Sequence, residues 1–494
     1  MGHAMATRQA VEPYSEIHET HTGIVVLIGD RAYKIKKPIR TEFLDFSTPE
    51  RRERACRREL ELNRRLAPDS YLGVAHLSAE WAGTSEPVLV MKRRPDSCRL
   101  ATMVRSSQPV IGQLMAIAER LAGFHKTAER GKTVAAQGTA AAITARWKAN
   151  FAELQQFVGA VVNRQRMNAV KRLATEFIAG REPLFTGRVR DGRIVDGHGD
   201  LLADDIFCIP DGPEMLDCLE FDDNLRYVDT IDDAAFLAMD LEFLGRKDLA
   251  ELFFGQYSKL AADPAPHSLN DFYIAYRALV RAKVDCVRFT QGHRDAAADA
   301  SRHLDVALEH LQVCSLRLAV VGGGPGTGKT TLAHALANQV GAAVISTDEV
   351  RRAMQNSGAI SGEVGVLDAG LYSDANVAAV YDEVLRQAHI QLSNGRSVIL
   401  DGTWRDPHRR DQARQLAIRT HSAEFELKCD TSVGAAGHRV ATRPAGGFSD
   451  ATPEIAAALV DGSQRWPEAH LIDTSRPLSE SICDAEKLWQ QAVE

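Results

Sequence analysis

The sequence predicts an α+β domain followed by an α/β domain with a parallel sheet. Short apolar strands near the start of the chain precede a long run with helical periodicity. From Leu316 onward, strands alternate with helices, and the first of these strands runs into a glycine-rich turn. This change of pattern predicts one domain over residues 1–312 and a second over residues 313–494.

The composition of the 494 residues is that of a globular protein, with 45% hydrophobic and 25% charged residues. No apolar run approaches the roughly 18 residues of a membrane span, and Met1 to Ala6 lack a signal-peptide core. We therefore expect no membrane partner and a cytoplasmic location. The net charge of -7 weighs against nucleic-acid binding. Eight cysteines without a CxxC pair predict buried free thiols.

The first domain begins with elements that have clear local signals. Gly29 and Asp30 predict a turn between two strands, and Thr48 with Pro49 predicts the start of a helix that runs to about Leu66. Small residues over 133–142 predict a loop or a connection between lobes. The predicted strands are Ile24–Ile28, Tyr33–Lys36 and Val88–Lys92.

Further along the first domain, a hairpin is followed by helices. Residues 210–213 predict a turn between the strands Ile206–Ile209 and Met215–Leu216. Helical periodicity then extends from Asp232 to Leu311, with a break at residues 263–266.

The glycine-rich turn of the second domain fits the phosphate-binding pattern GxxxxGK[ST]. It follows the apolar strand Leu318–Val321 and precedes a helix, which is the context that the pattern needs. Backbone N–H groups of such a loop bind phosphate oxygens, Lys329 reaches the β and γ phosphates, and Thr330 ligates Mg²⁺. The alternative is a glycine-rich turn without a ligand. The predicted ATP-binding residues are Gly323, Gly324, Pro325, Gly326, Thr327, Gly328, Lys329, Thr330 and Thr331.

Two acidic residues follow later strands of the same domain. The strand from Val344 leads to Asp348, which is placed to accept a proton from a substrate hydroxyl, although Asp also favours a helix N-cap. The strand Ser397–Leu400 leads to Asp401, which either holds Mg²⁺ through water or is a turn residue before Gly402.

Arg439 and Arg443 have the spacing of one helix face, just before Pro444. A mobile arginine pair can stabilise charge on a phosphoryl group during transfer. The alternative is a solvated basic face.

Residues 315–475 contain the segments GGGPGTGKTT, STDEVRR, SVILDGTW and HRVATRP. With these motifs the second domain resembles the small P-loop kinases of the AAA_33 type, which are akin to zeta-toxin and polynucleotide-kinase-like enzymes. The resemblance implies transfer of phosphate to a hydroxyl group rather than ATP-driven motion.

In the first domain, His198-Gly199-Asp200 precedes the predicted hairpin, and Asp217 lies just beyond it. A loop acid, a hairpin and a second acid are how a kinase places its base and its Mg²⁺ ligand. Asp200 is therefore predicted to deprotonate the acceptor hydroxyl, and Asp217 is predicted to hold the metal.

A lysine and a glutamate near the start of the chain support this prediction. Lys34 and Lys36 share one face of their strand, because side chains alternate. Glu59 lies on an apolar helix stripe, where a buried carboxylate needs a partner. We predict Lys36 as the lysine that pairs with Glu59 and touches the ATP phosphates, with Lys34 as the substitute. The alternative is a helix-edge glutamate and two solvated lysines.

Residues 20–290 resemble the aminoglycoside phosphotransferase family in the motifs HGDLLADDIFC and MLDCLEF. The resemblance implies an N-lobe over about 15–95, a C-lobe over about 96–312, and a metal ligand at position 205. The family pattern has Asn there and this chain has Asp205, which can also ligate Mg²⁺. The whole chain resembles bacterial fusions of an aminoglycoside phosphotransferase-like domain with a P-loop domain.

The combined prediction is an ATP- and Mg²⁺-dependent phosphotransferase that acts on hydroxyl groups of small polar molecules, namely sugars, amino sugars or aminoglycosides. Glu220, Asp222 and Asp223 either attract a cationic amino sugar or form a solvated acidic turn. Two other functions stay open: a regulatory nucleotide-binding protein, which Asp205 favours, and a nucleic-acid end kinase.

Overall fold

A computed structural model describes residues 14–19, 22–40, 45–78, 85–363, 369–442 and 466–493. Backbone contacts divide the chain into two compact units, one formed by residues 1–138 with 188–264 and the other by residues 139–187 with 265–494. Each unit contains one sheet of five strands. None of the described helices is both long and apolar enough to cross a lipid bilayer.

The first unit begins with an antiparallel sheet in the order β1-β2-β3-β5-β4. The predicted strands and the predicted helix start are confirmed, since Thr48 accepts a hydrogen bond from the Arg51 N–H and Pro49 opens the helix. Buried Leu89 and Met91 form the core under this helix. The bounds are β1 (Ser15–Glu19), β2 (Gly23–Ile28), β3 (Arg31–Lys36), α1 (Pro49–Asn63), β4 (Tyr71–Ser78) and β5 (Ser85–Lys92).

The rest of the first unit is mainly helical, with two short strand pairs. The predicted hairpin is confirmed as β7 and β8, and β6 pairs with β9. The bounds are α2 (Leu100–Arg105), α3 (Ile111–Thr127), α4 (Lys132–Ala136), β6 (Ile194–Asp196), β7 (Ile206–Ile209), β8 (Gly212–Met215), α8 (Asp223–Arg226), β9 (Tyr227–Asp229), α9 (Thr230–Phe243) and α10 (Lys247–Leu260).

Of the two alternatives predicted for 133–142, the loop is wrong, whereas the division between the two compact units does fall inside the segment, at 138/139. The structure has the helix α4 there, and the helix α5 (Ala140–Leu154) begins before the segment ends. Alanine is the strongest helix former, and Thr139 caps the second helix by accepting a hydrogen bond from the Ala142 N–H. Small residues here therefore favour helix over loop.

Helices of the second unit come from both sides of the predicted boundary at 312/313. Three of these helices, α5, α6 and α11, lie before residue 313, and α12 ends just after it. The helix α7 spans the division between the two units at 187/188. The helical run predicted up to Leu311 is confirmed, as is its break before His267. The bounds are α5 as above, α6 (Arg164–Gly180), α7 (Glu182–Arg190), α11 (His267–Thr290) and α12 (Ala296–Cys314).

The second unit contains the predicted parallel sheet, in the order β11-β12-β10-β13-β14. All four pairings are parallel, so the carboxyl ends of the strands lie at one edge. The bounds are β10 (Arg317–Gly322), α13 (Lys329–Val340), β11 (Ala343–Ser346), α14 (Thr347–Asn356), α15 (Asp374–Ser393), β12 (Val398–Asp401), α16 (Pro407–Arg419), β13 (Ala423–Asp430), α17 (Val433–Ala441), β14 (His470–Asp473) and α18 (Leu478–Gln491).

Both faces of the parallel sheet are buried. Leu318 and Val320 point into a core with α15 and α16, while Ala319 and Val321 point into a core with α13 and α18. β10 is the central strand of the sheet, and both of its faces are buried. This burial explains why its sequence is continuously apolar. The predicted fold class, an α+β kinase-like domain followed by an α/β P-loop domain with a parallel sheet, is therefore confirmed.

Candidate active sites

The glycine-rich loop joins β10 to α13 at the carboxyl edge of the parallel sheet. Gly326 and Gly328 have φ angles of 77° and 85°, a region that only glycine adopts readily. A Cβ atom on Gly326 would also collide with the carbonyl oxygen of Ala436. The loop conformation therefore depends on glycine at these positions, and it leads directly into the N-terminal end of a helix, where anions bind.

Thr330 and Asp401 meet beside this loop. The Thr330 hydroxyl donates a hydrogen bond of 2.9 Å to Asp401 Oδ2, while the buried Oδ1 atom of Asp401 accepts none from the described residues. Burial raises the pKa of Asp401, and the charge of Lys329 opposes this rise. A hydroxyl and a carboxylate with an unsatisfied oxygen are suitable ligands for Mg²⁺, directly or through water.

Asp348 lies one strand away from this pair. β11 ends at Ser346, so Asp348 belongs to the first turn of α14 rather than to the strand end. The residue at the N-cap position is Ser346, which leaves the Asp348 carboxylate to a side-chain partner. That partner is Arg351, whose Nη1 donates a hydrogen bond of 2.6 Å to Asp348 Oδ1.

Arg439 contacts the backbone of the loop region. Its guanidinium donates to the Thr474 carbonyl oxygen at 2.8 Å and to the Gly326 carbonyl oxygen at 3.4 Å. The other arginine of the predicted pair, Arg443, lies outside the described residues. A cavity of about 270 Å³ next to Arg439 is lined by residues that include Gly328, Thr331, Thr474 and Arg476.

The first unit has a larger cavity of about 520 Å³, which is in the usual size range of small-molecule sites. One part of its wall is apolar and includes Val25, Leu27, Ala32, Met91 and Leu216. The charged part includes Lys34, Asp205 and Asp217. This combination suits a flat apolar group at one end of a ligand and a charged group at the other.

A chain of alternating charges runs from this cavity into the interior. Lys34 Nζ lies 2.8 Å from both Asp217 and Glu59, and Lys36 Nζ lies 2.7 Å from Glu59 and 2.9 Å from Glu220. Burial by itself would lower the pKa of Lys34, but Asp217 and Glu59 more than offset it and raise that pKa. Both lysines are therefore held in the charged form.

The two lysines differ in what they face. Lys34 lines the larger cavity, whereas the cavity wall does not include Lys36, whose side chain is only 3% exposed. The structure thus brings together the predicted pair of Lys36 and Glu59. It also puts the substitute, Lys34, between Glu59 and the cavity.

The loop around Asp200 is anchored by a residue that the sequence reasoning missed. The N–H groups of His198 and Gly199 donate to the Asp233 carboxylate at 2.7 and 2.9 Å, and His125 Nε2 bonds the same carboxylate at 2.9 Å. Asp233 is fully buried in the apolar helix α9. A buried carboxylate needs several hydrogen-bond donors. An acidic residue within an apolar helical segment is therefore a signal in the sequence that could have identified Asp233.

Acidic residues crowd the site around Asp205. Partial burial together with the carboxylates of Asp217, Asp200 and Asp204 raises the pKa of Asp205 well above its ordinary value. Within the described parts of the chain, no three His, Cys, Asp or Glu side chains form a complete metal cluster. A cation at Asp205 and Asp217 would relieve the repulsion, with further ligands from water or phosphate.

Sequence comparison finds close relatives over nearly the whole chain. The uncharacterized protein Rv2004c of Mycobacterium tuberculosis is 56% identical over 482 residues, which cover 98% of this chain and 97% of the relative. The chain belongs to the family of this mycobacterial protein. Residues 318–463 also match the AAA_33 profile, described as an AAA domain. This match covers the glycine-rich loop and Asp401 of the family member described above.

Solved structures with a similar fold include two kinase-related proteins. A choline/ethanolamine kinase family protein from Mesorhizobium loti is 14% identical with a TM-score of 0.40, covering 61% of this chain and 92% of its own. APH(2″)-IIia, solved with GDP and kanamycin, is 13% identical with a TM-score of 0.37, covering 60% and 93%. We assign the fold of this family member from the order of its own helices and strands and from its strand pairing.

The three acidic residues after Asp217 are engaged within this family member's own structure. Glu220 pairs with Lys36, Asp222 accepts a hydrogen bond from the Asn224 N–H, and Asp223 lies 2.6 Å from Arg226. These internal contacts favour the acidic-turn interpretation over a site for a cationic sugar.

Proposed function

We propose that this protein is an ATP- and Mg²⁺-dependent phosphotransferase whose acceptor is a hydroxyl group of a small polar molecule. The observation that carries the proposal is the hydrogen-bonded pair of Thr330 and Asp401 beside Lys329, with one buried Asp401 oxygen left without a hydrogen-bond donor among the described residues. Because the pair lies beside the glycine-rich loop, it suits a nucleoside triphosphate together with its metal ion. We place the activity in the cytoplasm.

In the proposed reaction of the second unit, Lys329 neutralises charge on the β and γ phosphates. Thr330 and Asp401 would hold Mg²⁺, which when bound neutralises phosphate charge and polarises the transferring group. Asp348 accepts the proton of the acceptor hydroxyl at a carboxylate oxygen, and its bond to Arg351 keeps that carboxylate oriented. Arg439 contributes positive charge near the loop, and Arg443 is proposed to join it.

The nucleotide of the second unit needs room for its base and sugar. The cavity of about 270 Å³ beside Gly328 and Thr331 supports binding there, because it adjoins the glycine loop. Arg439 and Arg476 lie in its wall and can stack on an aromatic base.

For the first unit we propose a second kinase site in the larger cavity. Lys34 is proposed as the lysine that contacts the phosphates, oriented by Glu59, because it lines the cavity and Lys36 does not. Asp217 and Asp205 would hold the metal. Asp200 is proposed as the base, since its loop is anchored by Asp233.

A second candidate function is nucleotide binding by the first unit without transfer, so that it regulates the second unit. The crowding of carboxylates around Asp205 favours it, because an additional negative charge near the phosphates weakens nucleotide binding.

The test is a phosphate-transfer screen of the full chain with ATP and Mg²⁺. Acceptors would include sugars, amino sugars, aminoglycosides, nucleosides and oligonucleotides with free 5′-hydroxyl ends. The screen would be run on the wild type, on Lys329→Ala and on Asp200→Asn, so that each site is disabled separately. Transfer to a small hydroxyl acceptor that one variant abolishes supports the proposal and assigns the site.

Other results of the screen lead to other functions. Transfer restricted to oligonucleotide ends would instead support a nucleic-acid end kinase. Binding of ATP by both units without transfer to any acceptor would contradict the enzyme and leave the regulatory function.

A further inference from the structure

We propose that Cys98 and Cys208 form a reversible disulfide bond directly behind the wall of the larger cavity. The proposal does not depend on the proposed catalytic function. Arg99 and Phe207 form an isolated antiparallel bridge. In an antiparallel register, the residue before Arg99 lies opposite the residue after Phe207, and these two residues are Cys98 and Cys208.

The spacing of such a pair suits a disulfide. Directly opposed residues in antiparallel strands have Cα atoms roughly 4.5–5.5 Å apart. A disulfide needs Cα atoms about 4.4–6.8 Å apart, so the bond can form with small backbone adjustment. The short 3₁₀ turn Asp96–Cys98 packs against β7, which carries Cys208, and this packing brings the two segments together.

The two thiols lie near each other and outside the lining of the cavity. The Arg99 guanidinium lies 5.0 Å from the centre of the Phe207 ring, so the bridged side chains meet on the cavity side, where both line the wall. Because side chains alternate along a strand, Cys208, the next residue of β7, points to the face opposite the cavity, and Cys98 ends the 3₁₀ turn that packs against this strand. Burial raises the pKa of Cys208 to about 11, and the proximity of Cys98 contributes to that rise.

Accessibility separates this pair from most other cysteines of the chain. Cys98 and Cys208 are partly exposed free thiols. Five others are buried: Cys56, Cys218, Cys286, Cys314 and Cys429. Cys483 is exposed and lies on the helix α18 of the other unit. It therefore serves as a comparison for the reactivity of an accessible thiol.

The chemistry is thiol–disulfide exchange with a small disulfide as the oxidant. The Cys98 sulfur attacks the oxidant, forms a mixed disulfide and releases one small thiol. The Cys208 sulfur then attacks the Cys98 sulfur, forms the protein disulfide and releases the second small thiol. The two cysteine protons end on the two released thiols, and the two cysteine sulfurs are oxidised as the oxidant is reduced. In a reducing compartment the pair rests as thiols and the bond is transient.

The experiment treats the full native chain with oxidised glutathione at mildly alkaline pH, where the Cys208 thiol ionises more readily. Remaining thiols are then alkylated and the peptides are mapped by mass spectrometry. The variants are Cys98→Ser, Cys208→Ser and, as the matched control, Cys483→Ser. We expect a peptide that joins Cys98 to Cys208 in the wild type and in Cys483→Ser, its complete loss in the other two variants, and its disappearance after dithiothreitol.

The proposal is overturned if the wild type carries only glutathione adducts at Cys98 or Cys208, without the joined peptide. It is equally overturned if Cys483 is modified while both cysteines of the pair stay reduced. Because the decisive observation is made on the wild type, poor folding of a variant does not prevent either outcome from being recognised.

Discussion

The Lys34 ammonium lies 2.8 Å from Asp217 Oδ1, although 183 residues separate the two positions in sequence. The contact joins β3 to the residues that follow β8 and closes one side of the larger cavity. Asp217 has a φ angle of 61°, which few residues other than glycine adopt, and its N–H donates to the Tyr71 hydroxyl. A strained backbone that aims a carboxylate at a lysine is typical of a functional site.

The first prediction separates the two lysines of β3. Lys34→Met should weaken Mg-ATP binding to the first unit at least about tenfold, since it removes the cation that lines the cavity. Lys36→Met should mainly lower the free energy of unfolding, by about 3–5 kcal/mol, since it breaks a buried ion pair. Calorimetric titration in a Lys329→Ala background and urea unfolding measure the two effects.

Lys92→Met is the matched control, because Lys92 lines the same cavity from β5 and has none of the ion pairs of Lys34. It should change ATP affinity less than Lys34→Met does. Equal losses of affinity for Lys36→Met and Lys34→Met, with stability unchanged, would restore Lys36 as the phosphate lysine.

The second prediction concerns the glycine loop. Lys329→Ala should reduce phosphate transfer by the second unit at least about a hundredfold and leave the fold intact, because the positive charge that neutralises the β and γ phosphates is lost. Steady-state kinetics with circular dichroism measure both. Lys487→Ala, which removes an exposed lysine of α18, should have no effect. Unchanged turnover in Lys329→Ala, while Asp200→Asn is inactive, would assign the measured activity to the first unit.

The third prediction tests Asp348 as the base. Asp348→Asn should lower kcat about 10²- to 10⁴-fold while the KM for ATP stays nearly constant, because only proton transfer is lost. Glu349→Gln changes the neighbouring carboxylate of α14 and serves as the control. A raised KM for ATP with an unchanged kcat would show that Asp348 is a structural or metal-binding residue instead.

The fourth prediction concerns Asp205. Its pKa is raised in the folded protein, so the native state holds this proton more tightly than the unfolded chain does. The free energy of unfolding therefore falls as the pH rises from about 4 through the folded-state pKa. Asp205→Asn should remove this loss, raise Tm at neutral pH and maintain or improve Mg-ATP binding.

Asp211→Asn is the control for Asp205, because Asp211 is an exposed carboxylate in the turn of the hairpin that follows Asp205. Thermal unfolding with and without Mg²⁺ measures the effect. A variant of Asp205 that loses Mg-ATP binding would show that the additional charge serves the metal site.

The fifth prediction concerns a carboxylate on β13. Burial raises the pKa of Glu424 to about 7, and the neighbouring Glu426 carboxylate adds to the rise. Because the unfolded pKa is about 4.3, wild-type stability should fall between about pH 4 and pH 7. Glu424→Gln should be more stable than wild type by about 1–3 kcal/mol at about pH 8 and similar to it at about pH 4.

Urea unfolding at these two pH values checks the fifth prediction. Glu468→Gln is the control, because Glu468 is an exposed carboxylate near Arg414, whose positive charge also acts on Glu424. A gain in stability for Glu424→Gln that is the same at both pH values would rule out titration of Glu424 as its cause.

Several parts of the fold were predictable because their signals are local. Thr48 and Pro49 start α1 as predicted, and the turn over 210–213 separates two strands as predicted. The loop predicted over 133–142 was wrong, because alanine-rich segments also favour helices and the Thr139 cap starts one here. The alternative of a connection agrees with the division between the units at 138/139. The roles assigned to the site residues remain predictions until the variants are measured.

The sequence by itself determined the two fold classes, the position of the glycine loop and the acids that follow the strands, because spacing and periodicity encode them locally. Only the tertiary structure decided that Lys34 faces the cavity, since two lysines on the same face of a strand are equivalent until distant carboxylates select one. The same holds for Asp233, whose role depends on backbone donors that lie 34 and 35 residues away. Packing brings such groups together, and burial makes their pairing obligatory, because an unpaired charge in the interior costs several kcal/mol.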